Sequence, residues 1–337
     1  MRVLVGDIGG TSARLGIVHI DAEAVRLIQH RRFASKDFDG LAPIVQAFLT
    51  GVEDVLDRAC FAIACPVIDG KCSTTNLSWD IDVRALSERI GIPRTEIIND
   101  LHAVGHGVQR LSPDDLVTLQ VGEPNERGVI ALIGAGTGLG EAFVTWNNDA
   151  YLVHSSEGGH ASFAAQNELE CKLRNWLAST VGHVSYEHVV SGPGLVRIYE
   201  FLVEGGEAEE QAHVRVEMER DDPAAVISRH ALAHTDPLCE RALDVFATTY
   251  GAQAGNLALT VMATGGVFVA GGIAPRIVPK LRDGAFMTAF RDKGRLSDVL
   301  ARVPVKIITN PHVGLIGAAI AATRLWPALR DTGDQAT

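Results

Sequence analysis

The sequence predicts an α/β protein of two lobes, and three observations carry that prediction. The chain has 337 residues, more than one hydrophobic core comfortably organises, so two lobes of roughly 150 residues each are expected. Short β-branched apolar runs ending in glycine turns alternate with helical segments. A strand, Gly-Thr turn and strand at the N-terminus also recurs in mid-chain. Val3-Leu4-Val5-Gly6-Asp7, the Gly9-Gly10 turn and residues 13–18 are matched by residues 129–133, 134–140 and 141–144, with 126 residues separating Gly10 from Gly136. Chance likeness between glycine-rich hairpins is the competing explanation of that repeat.

In chain order, residues 1–20 read as a hairpin, 59–64 as a strand, 83–90 as a helix, 96–98 as a short strand and 100–109 as a helix. The segment 129–144 is the second hairpin. Residues 204–223, rich in Glu and ending Asp221-Asp222-Pro223, read as a solvated excursion with some helix. Gly265-Gly266 precedes the buried-strand run Val267-Phe268-Val269-Ala270, and Gly271-Gly272-Ile273 then turns the chain into a helix. The apolar, small-residue run 313–319 reads as a buried helix that returns to pack on the first lobe. The expected division is therefore a small lobe, 1–110, joined by a C-terminal helix, 312–328, a large lobe, 111–311, and a frayed tail, 329–337.

Composition narrows the chemistry. With 41 acidic and 30 basic residues the net charge is −11, which gives no general attraction to nucleic acid or to an anionic membrane. Any phosphate must be held locally. No stretch approaches the ~20 apolar residues of a membrane helix, and the sequence begins with a strand-like run rather than a signal peptide, so a cytoplasmic location is expected. The five cysteines, Cys60, Cys65, Cys72, Cys171 and Cys239, contain neither a C-x-x-C pair nor an even framework. Reduced, structural thiols and no zinc site are expected.

The commonest phosphate-binding devices are excluded. No G-x-x-x-x-G-K-[ST] occurs, and Leu139 stands where a G-x-G-x-x-G would need its last glycine. What remains is a pair of glycine-threonine turns, Gly9-Gly10-Thr11-Ser12 and Gly136-Thr137-Gly138, able to offer amides and hydroxyls to a polyphosphate. Asp7 adds a carboxylate suited to magnesium held through water.

At these residues the chain resembles the hexokinase, actin and heat-shock ATPase superfamily and, within it, the glucokinase group of proteobacteria. The likeness extends through Ala64-Cys65-Pro66, Thr75-Asn76-Leu77-Ser78-Trp79, Ile98-Asn99-Asp100, the 134–140 turn, Glu157-Gly158-Gly159-His160, Gly182-His183-Val184-Ser185, Glu187, Ser191-Gly192-Pro193-Gly194-Leu195 and Gly271-Gly272-Ile273. It covers nearly the whole chain. The resemblance implies a two-lobed actin-like ATPase fold, of the ribonuclease H-like kind, with a central interlobe cleft in which ATP and a sugar meet, and it implies a homodimer. One departure stands out: Ser12 occupies a position where the family usually has Asn. The zinc-binding cysteines of the repressor/open-reading-frame/kinase sugar kinases are absent, as is an N-terminal DNA-binding extension, which argues for the glucokinase branch.

The implied activity is transfer of phosphate from ATP, with Mg2+, to the 6-hydroxyl of glucose. A sugar hydroxyl is a poor nucleophile, and a carboxylate within reach can take its proton during transfer. Asp100 is the candidate base, placed between an apolar strand and a helix; the competing reading is a helix N-cap. Asn99, Asp100, Glu157, His160 and Glu187 match the family's sugar-binding residues, a set with both donor and acceptor capacity. For Glu157 and His160 the competing reading is an ordinary turn, and for Glu187 an acidic residue in a helix's first turn. Gly271 and Gly272 resemble the family's adenosine-side loop. Asn76 is a possible cleft residue, Trp79 reads as core and His102 as a solvated helix residue. Rival functions are a kinase for mannose, fructose or an amino sugar, a catalytically silent sugar sensor, and a nucleotide-driven chaperone or filament protein. The last would need no Glu157 to His160 constellation.

Overall fold

Val3, Leu4, Val5 and Ile8 make the first strand apolar on both faces, the pattern of a strand in the middle of a covered sheet, and β1 (Arg2–Ile8) is central in its sheet. The computed structural model describes residues 1–325 other than 22, 23, 75, 76, 78 and 149. The chain forms two units. One comprises Met1–Leu111 with the chain from Asn310 onward, and the other Ser112–Thr309.

In the first unit β2 (Ser12–Ile20) returns antiparallel to β1, and β3 (Val25–Ala34) continues the meander to the sheet edge. Helix α1 (Leu41–Leu49) leads to β4 (Arg58–Ile63), which runs parallel to β1. A two-stranded ribbon, β5 (Lys71–Ser73) and β6 (Asp80–Asp82), precedes α2 (Val83–Ile90) and β7 (Thr95–Asn99). The sheet order is β3-β2-β1-β4-β7. Helix α2 starts where the Asp82 carboxylate accepts from the Arg84 and Ala85 amides and stops at Gly91 with φ 73°. Leu4, Ile8, Leu15, Phe48 and Phe61 build the core on the α1 and α2 face. On the other face Val3, Val5, Cys60 and Ala62 pack against Ala103 of α3 (Asp100–Gly107) and the small residues Ala318, Ala319 and Ala322.

The second unit opens with β8 (Leu116–Gln120), β9 (Ile130–Ala135), β10 (Leu139–Asn147) and β11 (Ala150–Ser156). Helices α4 (Glu168–Val181), α5 (Gly192–Glu204), α6 (Ala212–Met218), α7 (Pro223–Leu232) and α8 (Pro237–Val261) follow, then β12 (Gly266–Ala270). Short helices α9 (Val278–Arg282), α10 (Ala285–Arg291) and α11 (Ser297–Arg302) lead to β13 (Val305–Ile308), and the chain ends its described course in α12 (Val313–Leu325) of the first unit. The sheet order is β11-β10-β9-β12-β13-β8. Helix α8, apolar along most of its length, is central to this unit's core, with Phe246 and Tyr250 fully buried.

Strands β11-β10-β9-β12-β13 repeat β3-β2-β1-β4-β7 in order and in every parallel or antiparallel relation. The glycine-turn repeat in the sequence thus marks a structural one. The 204–223 segment is less solvated than its composition predicts, because Val214 and Met218 on one face of α6 are buried. The cysteine expectation is overturned: Cys65 and Cys72 form a disulfide, while Cys60, Cys171 and Cys239 are free. The chain folds back after β4 so that these two α-carbons lie 6.2 Å apart, a proximity that sequence spacing does not reveal. Among the described residues no helix is long and apolar enough to cross a membrane. The expected tail, 329–337, lies outside the described residues, as do positions 326–328 of the C-terminal helix.

Candidate active site

Strands β1, β4 and β7 end in step, with Ile8 in register with Ile63 and Ile63 with Asn99. The turn at 9–12 and the Asn99-Asp100 pair therefore leave one edge of the sheet, its carboxyl edge, where open α/β sheets bind ligands. The turn is held by its own chain and by a buried serine. Gly9 N donates to Ser12 O at 3.0 Å, Ser35 Oγ donates to Gly9 O at 3.0 Å, and Ser35 N donates to Thr11 O at 3.2 Å. Gly10 completes this turn, and Thr11 is exposed at its tip.

Asp7 precedes the turn and lies 3.6 Å from the Arg14 guanidinium across the hairpin. Arg14 in turn donates to Pro311 O at 2.8 Å. Burial pushes the Asp7 carboxyl above the usual carboxylate range, and Arg14 works against that rise. Gly314, near the start of α12, brings its backbone beside this carboxyl: a Cβ there would sit 3.2 Å from Asp7 Cγ.

At the end of β7 the cap of α3 is Asn99, not Asp100. Asn99 Oδ1 accepts from Leu101 N at 3.0 Å and from His102 N at 3.2 Å, and its Nδ2 donates to Cys65 O at 3.3 Å. Asp100, half-buried in the first helical position, accepts from Leu101 N at 2.8 Å. Asn99 is therefore the cap, and Asp100 shares only the Leu101 amide with it. His102 is half-buried rather than solvated, with its ring 5.1 Å from that of His106. Trp79 is core, as expected, and its Nε1 donates to Phe38 O. Asn76 lies outside the described residues.

In the second unit β9 and β12 are parallel and also end together, Gly134 opposite Ala270. The 136–138 turn, with Thr137 exposed, and Gly271-Gly272 therefore leave one edge. Gly136 N donates to Gly138 O at 2.8 Å, and Gly192 N to Gly136 O at 2.8 Å. Gly271 has φ 83°, and a Cβ there would overlap Ala135, so the close approach of the two loops requires glycine. Tyr250 of α8 ties the base of both: its hydroxyl accepts from Ala135 N at 3.1 Å and lies 3.3 Å from Ile133 O and 3.5 Å from Ala270 O.

Three of the expected sugar residues converge in this unit. Residues 158–160 form a 3-10 turn after β11, and Tyr186–His188 form another. His160 Nε2 lies 4.0 Å from Glu157 Oε2, and its Nδ1 lies 4.0 Å from Glu187 Oε1. The side chains of Glu157 and His160 are more than half exposed, 54% and 60%, whereas that of Glu187 is 31% exposed. Glu187 does lie in a first turn, but its carboxylate reaches another loop, where Oε2 accepts from Leu139 N at 2.8 Å. Two carboxylates and an imidazole at this spacing supply the donors and acceptors that a ring of hydroxyls needs.

Several supporting residues escaped sequence reasoning. The hairpin register pairs Asp7 with Arg14, so Arg14 follows from the turn once its residues are counted. Ser35 and Tyr250 lie far along the chain from the loops they hold and carry no local signal.

A profile of the Glucokinase family matches residues 4–325. A glucokinase of Nostoc punctiforme is 43% identical over 338 aligned residues, covering 96% of this chain and 99% of that protein. The crystal structure of a glucokinase from an Antarctic psychrotroph is 33% identical, covers 96% of this chain and 99% of its own, and superposes with a TM-score of 0.80. A ROK family glucokinase from Streptomyces griseus, solved in complex with glucose and AMPPNP, shares the fold at a TM-score of 0.67 and 21% identity, over 96% of this chain and 100% of its own. The duplicated sheets, the paired glycine turns and matches that run nearly end to end lead to one conclusion: this chain belongs to the glucokinase family and has the actin-like ATPase fold of sugar kinases.

Proposed function

We propose that this chain transfers the γ-phosphoryl group of ATP to the 6-hydroxyl of glucose, with Asp100 as the general base. The observation that carries the reading is the division of labour at the end of β7: Asn99 caps the helix, and Asp100 stands beside it at the carboxyl edge of the sheet. As the hydroxyl oxygen bonds to phosphorus and the bond to ADP breaks, the Asp100 carboxylate takes the hydroxyl proton. Glu157, His160 and Glu187 would orient the sugar through its other hydroxyls, and Asn99 through its remaining Nδ2 hydrogen.

The turns at 9–12 and 136–138 would hold the phosphates through backbone amides and the Thr11 and Thr137 hydroxyls, with Ser12 beside them, and Gly271-Gly272 would line the adenosine side. Among the described residues no group of three or more His, Cys, Asp or Glu side chains could hold a metal. Magnesium bound largely by water and nucleotide phosphates needs only one or two carboxylates, and Asp7 suits that role. The ion would neutralise charge on the outer phosphates. Family resemblance supports action as a homodimer, and the absence of a signal-like N-terminal run supports the cytoplasm.

Asp100→Asn tests the assignment, since Asn keeps the size and cannot act as a base. The variant should fold, retain measurable glucose binding by calorimetry and lose about 10²–10⁴-fold in turnover. Turnover within a few-fold of the parent at saturating glucose would remove Asp100 from this role. ADP release against glucose, mannose, fructose and amino sugars tests the substrate.

A further inference from the structure

Glu141, on β10, is a carboxylate only 3% exposed inside the second unit. Burying such a group is costly unless it is well partnered. Its Oε1 accepts from Gln253 Nε2 of α8 at 2.8 Å. Gln253 Oε1 accepts from Asn256 Nδ2 at 3.2 Å, and that same Nδ2 lies 2.9 Å from the Tyr186 hydroxyl oxygen. Tyr186 adjoins Glu187. At the other end Glu141 Oε2 lies against Gly158, where a Cβ would overlap it, and Gly158 adjoins Glu157. Ser156, opposite Glu141 across the β10–β11 pair, accepts from Gly158 N at 3.0 Å.

A hydrogen-bonded chain, buried at Glu141, Gln253 and Tyr186 and half-buried at Asn256, thus runs from Glu141 to the turn bearing Glu187, and Glu141 packs against Gly158 of the turn bearing Glu157 and His160. Backbone bonds between the same segments, Tyr186 N to Ala161 O at 3.1 Å and Phe163 N to Val184 O at 2.9 Å, hold their stems.

We propose that Glu141 is a positioning residue for sugar recognition, which, through Gln253 and Asn256, sets the spacing between the Glu157–His160 turn and Glu187. The proposal rests on the sugar-binding role given to those three residues above. Burial also pushes the Glu141 carboxyl up, against the lowering effect of the Gln253 hydrogen bond. The bond from Gln253 comes from a neutral amide, and the carbonyl oxygen of an amide at position 141 can accept it as the carboxyl does.

Steady-state kinetics on full-length variants test this. Parent activity on glucose with ATP is measured first, because a parent inactive on glucose would sink the function proposed above, not this inference alone. With an active parent, Glu141→Ala should raise the glucose KM by about tenfold, the scale of leaving a buried hydrogen-bond partner unsatisfied, while the ATP KM stays within about twofold. Glu141→Gln should return the glucose KM to near the parent value. Asn256→Ala, which breaks the far end of the chain, should also raise the glucose KM selectively, and it carries the test if Glu141→Ala does not fold. An unchanged glucose KM in folded Glu141→Ala or Asn256→Ala overturns the proposal. So does a parallel rise in both KM values, which would mark general loosening, and so does failure of Gln to rescue.

Discussion

At the scale of single residues the geometry gives some backbone positions a reach beyond their own loop. Gly138 belongs to the proposed phosphate turn, yet a Cβ placed on it would overlap the Glu187 carboxylate that Leu139 N binds. Gly138→Ala is therefore expected to weaken glucose binding in the absence of any nucleotide by about fivefold or more, the effect of disturbing one hydrogen bond to a charged group. Isothermal calorimetry with glucose alone decides it; intact glucose affinity would confine Gly138 to the nucleotide side. Sequence reasoning proposed Asn99 and Asp100 together and left open whether Asp100 caps. The choice depends on where β7 stops, which its register with β4 determines.

At the scale of elements, α3 carries a built-in sensitivity to acid. His106 is buried on this helix, its Nδ1 has no hydrogen-bond partner, and burial first, then His102 and Arg324, push its pKa down to about 3. The imidazole is neutral in the native state and titrates near 6.5 once unfolded. Its contribution to stability is thus fully present above pH 6.5 and is lost as pH falls from there towards 3. Denaturant unfolding of the parent between pH 6 and 4 should show a steeper pH slope than His106→Leu, by up to one proton, or about 1.4 kcal/mol per pH unit. Equal slopes would show that His106 accepts a proton without unfolding. The boundary of α2 was legible because Asp82 and Gly91 are local stop signs. The Cys65–Cys72 bridge was not, because it depends on how the chain folds back between two strands.

At the scale of the whole molecule, a net charge of −11 gives no general attraction for an anion, so a phosphate must be held by local groups rather than by overall charge. Ligands that bind only the native state stabilise it by mass action. Glucose and magnesium-AMPPNP, each at a hundred times its Kd, should each add on the order of 2–3 kcal/mol and raise the thermal midpoint. Greater stabilisation by fructose or ribose than by glucose would count against glucose as the substrate.

The sequence by itself determined the α/β class, the two glycine-turn hairpins, the strands and helices around 59–64, 83–109 and 267–270, the helix at 313–319 and the family to which the chain belongs. These properties are written in short-range patterns: apolar periodicity, turn residues and motifs within a few positions of one another. Only the tertiary structure decided that Glu187 reaches Leu139, 48 residues away, that Glu141 meets Gln253 across 112 residues, and that Asn99 rather than Asp100 caps its helix. Periodicity says which face of a strand or helix is buried. It does not say which distant polar group meets another inside, because strand register and close packing of the folded chain set that pairing.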